Sequence, residues 1–360
     1  MYEKRLKKLR SLFNEDKLDA LLIVKEENRR YLSGFTGSNG NLLITGERNF
    51  LFTDSRYLIQ AQREASHFQL LDTTSGGFQP SFSKVIKKEK IWRLGFESNY
   101  LSFWQYQELK KNLPGTELIP VLDLVENIRS IKSRQELSYL VQAQEVTDRA
   151  FHHITSYLKE GLTEKQVAWE LEKYLREEGT ETLPFVPILA SGINAAEPHH
   201  KNSDKKIRLG EMVLLDFGAT VSGYSSDMTR TVFMGEPTKK QVEIYELVLS
   251  SQKAALKKLQ AGITGKDVDS TAREVIKSKG LNGAFLHNLG HGVGLEVHEK
   301  PMLGPSHSGI LLENMVCTIE PGIYLPEWGG IRIEDIAVVR EDGAKVLTRS
   351  PKELDSVVVQ

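Results

Sequence analysis

The chain has 360 residues, 40% of them hydrophobic and 26% charged, with a formal net charge of −1. That length allows two domains with cores of their own, and that composition excludes a disordered chain. The near-zero charge speaks against a nucleic-acid footprint, and no apolar run approaches the length of a membrane span.

In chain order, residues 3–16 carry apolar positions at helical spacing (Leu6, Leu9, Leu12, Phe13). The opening Met1-Tyr2-Glu3-Lys4-Arg5 leads into this acid-containing amphipathic helix rather than into a signal peptide. Ala20–Val24 reads as a buried strand, and 41–44 and 49–52 as two more around the turn at 45–48. Residues 57–64 are predicted helical, 73–78 a loop and 91–96 a strand. Lys87, Lys88 and Lys90 form a solvated face. This strand–helix alternation predicts a small α/β domain over 1–127. A second domain over 128–360 begins with a long helix running to about Leu158, opened by the capping-box pair Ser133 and Glu136.

That second part repeats itself. Residues 158–167 (LKEGLTEKQV) are echoed by 259–268 (LQAGITGKDV), and each copy continues as a helix ending at a glycine, Gly179 or Gly280. Each then supplies an apolar strand closed by an acid, Asp216 in the first copy and Glu320 in the second. A return strand carries another acid, Asp227 and then Glu334. A period of about a hundred residues is too long for a solenoid and fits one pseudo-symmetric domain with its site between the halves. A carboxylate ending a buried strand pays heavily in desolvation unless it is paired or metal-bound. Arg230 and Arg332 could pair with one acid each, but four converging carboxylates are better neutralised by divalent cations.

The segment 285–299 adds His287, His291 and His298 among glycines that permit close backbone approach. His199 and His200 form a weaker pair, and His67, His152, His153 and His307 read as solvated or packing residues. Cys317, the single cysteine, lies in the apolar run 315–319, so it reads as a buried structural thiol. One cysteine rules out an internal disulfide and fits a reducing, cytoplasmic setting.

At these residues the chain resembles the creatinase/aminopeptidase P/prolidase group. The motifs are Leu215-Asp216-Phe217-Gly218, Ser226-Asp227-Met228-Thr229-Arg230-Thr231, Gly290-His291-Gly292-Val293-Gly294, Glu320-Pro321-Gly322 and Arg332-Ile333-Glu334-Asp335, in the group's order. In the first part, 31–38 (YLSGFTGS) and 53–57 (TDSRY) resemble segments of Xaa-Pro peptidases. The resemblance implies an α/β N-terminal creatinase-like domain and an α+β pita-bread catalytic domain with an internal pseudo-two-fold repeat. It implies that Asp216, Asp227, His291, Glu320 and Glu334 hold two divalent metal ions, with Asp227 and Glu334 bridging. An oxygen-rich set with one imidazole suits Mn²⁺, with Co²⁺ or Zn²⁺ as alternatives.

The same resemblance gives Glu320 a proton-shuttling role and places His199 and His298 where they contact substrate and stabilise the tetrahedral intermediate. His287 lines the cleft, Arg332 orients the substrate or a carboxylate, and Tyr324 and the 295–297 stretch are candidates for the proline pocket. Asn288 departs from the glycine common in relatives but removes no chemical group. The implied activity is hydrolysis of the Xaa-Pro bond in peptides with proline second, in the manner of aminopeptidase P, by a homodimer. Competing readings are an Xaa-Pro dipeptidase, a methionine aminopeptidase-type specificity, and a non-catalytic binding protein on the same fold. The first differs only in how far the cleft extends. The second lacks an expected N-terminal domain of this kind, and the third is expected to have lost ligands.

Overall fold

The computed structural model describes residues 1–359, which divide into two compact units, 1–129 and 130–359. The division falls slightly after the sequence placement at 127, because the helix Leu124–Arg129 closes the first unit.

The first unit is built on a six-stranded mixed sheet. Its strand order is Gln69–Asp72, Asn49–Thr53, Asn41–Thr45, Ala20–Ile23, Arg93–Glu97 and Glu117–Val121. The central strand Ala20–Ile23 pairs antiparallel with Asn41–Thr45 and parallel with Arg93–Glu97. All four of its residues are buried, which explains why it reads as a continuous apolar run rather than an alternating one. Besides Glu26–Ser33 and Leu124–Arg129, the helices Phe78–Lys88 and Phe103–Asn112 escaped the sequence reading. Phe78, assigned to a loop from sequence, instead opens the helix Phe78–Lys88 and stacks on Phe82 at 4.9 Å between ring centroids. Pro80 disguised that helix. It stands in the first turn, where a missing backbone N–H costs nothing.

The second unit carries the repeat at the level of the backbone. Each half offers two helices followed by three antiparallel strands. The first half has helices Arg134–Tyr157 and Glu164–Glu177, then strands Ile188–Ser191, Met212–Phe217 and Met228–Met234. The second has helices Lys239–Lys258 and Gly265–Lys277, then strands Gly290–Gly292, Val316–Ile319 and Asp335–Arg340.

The turn before the second helix is the same in both halves. Gly161 and Gly262 both adopt φ 88°, a left-handed conformation that favours glycine. Gly161 N–H donates to Ile207 O, and Gly262 N–H to Leu311 O, each at 2.9 Å. Thr163 with Gln166 and Thr264 with Asp267 then close capping boxes, as Ser133 with Glu136 does at the start of the long helix. The apolar faces of both halves meet in one core that includes Phe151, Leu171, Leu215, Phe217, Val248, Cys317 and Ile319. Cys317 is fully buried, which pushes its thiol pKa up to about 12.

Candidate metal centre

The two strand triplets aim their acids at one cavity of about 310 Å³. Asp216 projects from Met212–Phe217 opposite Thr229. Asp227 stands immediately before the return strand Met228–Met234, and Glu334 immediately before Asp335–Arg340. Both acids were expected on the return strands themselves; each lies one residue ahead, where the chain is free of the ladder and its carboxylate can turn inward. Glu320 directly follows Val316–Ile319. Two glycines allow the approach of these segments. A Cβ on Gly218 would lie 2.0 Å from Ser226 O, and one on Gly290 would lie 2.1 Å from Thr318 O.

Ligand atoms of Asp227, His291 and Glu334 lie within 4.8 Å of one another. His291 Nε2 is 3.3 Å from Glu320 Oε1 and 3.6 Å from Asp227 Oδ2. Its Nδ1 lies 3.2 Å from Gly292 O, a hydrogen bond that places the ring proton there and leaves Nε2 as a lone-pair donor. Burial and a neighbouring His298 lower the His291 pKa to about 3, so the ring is neutral.

The carboxylates are held against one another at an electrostatic cost. Burial, then Glu334, Asp216 and Glu320, push the Asp227 pKa well above the carboxylate range. Burial and then Glu334 do the same to Glu320, and burial and then Asp216 raise Glu334 to about 8. Asp216 Oδ1 and Glu334 Oε1 are buried without a hydrogen-bond partner. Orphaned carboxylate oxygens beside a neutral imidazole form a donor set that fits divalent cations.

The surrounding residues fix this set. Thr229 Oγ1 donates to Glu334 Oε2 at 2.6 Å, and Thr318 Oγ1 to Glu320 Oε1 at 3.1 Å. Arg332 Nη2 donates to Asp216 Oδ2 at 2.5 Å, and Arg332 Nη1 to Tyr324 Oη at 2.7 Å. The Tyr324 hydroxyl lies 3.0 Å from His287 Nε2, and His287 Nδ1 lies 2.7 Å from Asn288 O, so one chain of hydrogen bonds runs from Asp216 to the 287–288 backbone. Arg230, also open to pairing with a ligand acid, is instead committed to Asp335 Oδ1 at 2.7 Å and to the carbonyls of Glu334, Ser350 and Pro351.

His199, His287, His298 and Arg332 line the cavity. Tyr324 and residues 295–297, candidates for the proline pocket, do not. Tyr324 is buried behind His287 and Arg332, both of which its hydroxyl contacts. The apolar wall comes instead from Phe185, Val186, Ile188 and Met302, none of which carries a periodic or motif signal in the sequence. His153 bonds Glu170 and stacks on Tyr174, outside the cavity.

Comparison with known proteins places this geometry among relatives. The model of metallopeptidase family M24 matches residues 138–341, and that of the creatinase/prolidase N-terminal domain matches residues 5–131. An Xaa-Pro dipeptidase of Pyrococcus horikoshii is 39% identical over 355 residues, covering 97% of this chain and 98% of its own. Among solved structures, an Xaa-Pro dipeptidase from Bacillus anthracis is 40% identical with a TM-score of 0.96, over 99% of this chain and 100% of that one. An X-Pro aminopeptidase from Thermotoga maritima is 39% identical with a TM-score of 0.90, over 95% and 98%.

Proposed function

The chain belongs to metallopeptidase family M24, with a creatinase/prolidase N-terminal domain and the pita-bread fold, and from that premise we propose that it hydrolyses the peptide bond preceding proline. The second unit, after Arg129, is the catalytic domain and the first is the N-terminal domain. Asp216, Asp227, His291, Glu320 and Glu334 hold two divalent cations, with Mn²⁺ the best match to an oxygen-rich set with one imidazole. The observation that carries the reading is the convergence of these five donors, from both halves, on one cavity.

When bound, the cations supply Lewis acidity and a water that is acidic near neutral pH. Glu320 takes the proton of the attacking water and returns it to the prolyl nitrogen as the C–N bond breaks. His199 and His298, exposed at the mouth, hold the carbonyl oxygen as its carbon becomes tetrahedral. Arg332 fixes Asp216 and, through Tyr324, the ring of His287. The X–Pro bond offers no N–H, so the apolar wall of Phe185, Val186, Ile188 and Met302 can select the ring without leaving a polar group unpaired.

The length preference follows from charge. Among the described residues lining the cavity, Arg332 is the single lysine or arginine, and it is paired with Asp216. A longer peptide, whose proline carries no free carboxylate, needs no such side-chain partner, which favours an aminopeptidase P-like activity. The relatives named Xaa-Pro dipeptidase favour the second reading, a prolidase. The single cysteine and the family resemblance support placing the enzyme in the cytoplasm, as a homodimer. Among the described residues no helix is long and apolar enough to cross a membrane.

An Mn²⁺-supplemented assay with a chelator control tests this reading. Cleavage of an Xaa-Pro-Xaa tripeptide supports it, and cleavage of the Xaa-Pro dipeptide alone makes the enzyme a prolidase. Cleavage of only a Met-Ala-Xaa peptide removes the proline assignment, and no cleavage with any metal removes the peptidase reading.

A further inference from the structure

His199 stands in an irregular stretch between the 3₁₀ turn Gly192–Ala196 and the strand Met212–Phe217, so its placement depends on what holds its neighbours. On one side, Pro198 O accepts a hydrogen bond from Arg332 Nη1 at 3.3 Å. On the other, the His200 ring is set between two carboxylates. Its Nε2 lies 2.9 Å from Glu164 Oε2 and its Nδ1 lies 3.0 Å from Glu197 Oε2. The ring is nearly covered, with 10% of its side chain exposed, and it is not part of the cavity wall.

Glu164 is built to receive that ring. It is the first residue of the helix Glu164–Glu177, where the helix dipole favours a carboxylate, and its side chain is fully buried. It also accepts from Ser191 N–H and Oγ, Asn194 Nδ2, and Ser203 N–H and Oγ, at 2.6 to 3.1 Å. Burial opposes a charge on His200, but its hydrogen bonds to Glu197 and Glu164 outweigh burial and raise the ring's pKa. The cation, which can donate from both nitrogens, is therefore the favoured form. The other charged group at this network is Lys205, which donates to Ser191 Oγ at 2.9 Å and pairs with Glu211 Oε2 at 2.6 Å.

We propose that His200, gripped by Glu164, is a positioning residue that sets where His199 stands over the cavity. The inference rests on the reading of His199 as a substrate-contacting group. Removing His200 leaves Glu164 with its serine and asparagine donors, so the buried charge stays satisfied and the damage is confined to the 197–201 backbone. A displacement of about 1 Å at a group that meets the transition state lowers rates up to about a hundredfold.

The test is a double-mutant cycle on kcat/KM for an Xaa-Pro-Xaa tripeptide, using the full chain saturated with Mn²⁺, with bound metal and thermal midpoint followed in parallel. His200→Ala is expected to lower kcat/KM about 10- to 100-fold with metal content retained. His200→Gln, which keeps a donor toward Glu164, is expected to recover most of that loss, and it carries the cycle if the alanine variant folds poorly. In a His199→Ala background, the change at position 200 is expected to cost nothing further. An equal loss in that background overturns the inference while leaving His199 in its role, as does an unchanged kcat/KM in His200→Ala alone. If His199→Ala is itself silent, the reading of His199 falls and takes the inference with it.

Discussion

The two halves of the second unit share a backbone plan and differ in the side chains placed on it. At the first position of the second helix the first half has Glu164, which reaches out to hold the loop around His199. The second half has Gly265 at the matching position, and a Cβ there would meet Met302 O at 2.3 Å. The chain that Glu164 grips through its side chain is, in the second half, packed directly onto the helix. The loop carrying His287 is gripped from a later turn. Arg273 donates to Phe285 O at 3.1 Å and to His287 O, while Asp269 accepts from Leu289 N–H at 3.1 Å. The proposed ligands differ in the same way, two aspartates against two glutamates and a histidine. Repetition of the backbone fixes where donors stand, and the side chains decide which donors they are.

The largest expected effect asks whether both halves serve one centre. Asp227→Asn from the first half and His291→Ala from the second should each lower hydrolysis on the order of a thousandfold or more and reduce bound metal, with the fold retained. Metal analysis and tripeptide kinetics on both variants would show it. Full activity in either would break the equivalence of the halves.

The next effect concerns how the second half holds its loop. Arg273→Ala strips two carbonyls of their donor and leaves the buried Asp269 without its ion pair, whose Nε–Oδ2 distance is 2.7 Å. A loss of about 2–4 kcal/mol in urea unfolding is expected. Gly265→Ala should cost less, about 1–3 kcal/mol, because the Met302 backbone must move aside. If Gly265→Ala is neutral, direct packing is not what separates this half from the first.

The smallest effect is a pH dependence belonging to the first half alone. The folded pKa of His200 is raised above its ordinary 6.5, so its stabilising contribution is full below pH 6.5 and is lost as pH rises through the raised value. The difference in thermal midpoint between the natural chain and His200→Gln should therefore be widest below pH 6.5 and narrow on the alkaline side. A constant difference would mean that the charge on His200 contributes nothing.

The parts of this centre that could be read from sequence are those the repeat duplicates. Asp216 and Glu320 each close an apolar run, and that outline is visible without coordinates. The family fold followed from the same motifs. Glu164, Asp269 and Arg273 escaped because they act on loops 20 or more residues away or on backbone carbonyls, and neither leaves a pattern in residue type. The cavity wall at Phe185, Val186 and Ile188 escaped for a related reason. Its apolar residues lie in a stretch whose chemistry is set by what they face across the cavity. In the first unit Ser102 and Gln105 form a capping box that marks the start of the helix Phe103–Asn112, a signal that residue type alone carries.

Arg230 has a consequence for how the chain is made. The carbonyls of Ser350 and Pro351 that it binds lie 120 and 121 residues further along, and Asp335 lies 105 further. At roughly 5–20 residues per second, a ribosome needs on the order of 5–25 s to deliver them after Arg230 has appeared. Through that interval the strand Met228–Met234 has its earlier neighbour Met212–Phe217 but not the later chain that covers its other side. The guanidinium of Arg230 is then a charge in water, the kind of residue that keeps such a segment from pairing with another nascent chain. The same arginine guards the strand during synthesis and, once its partners arrive, locks the backbone of Glu334 in place.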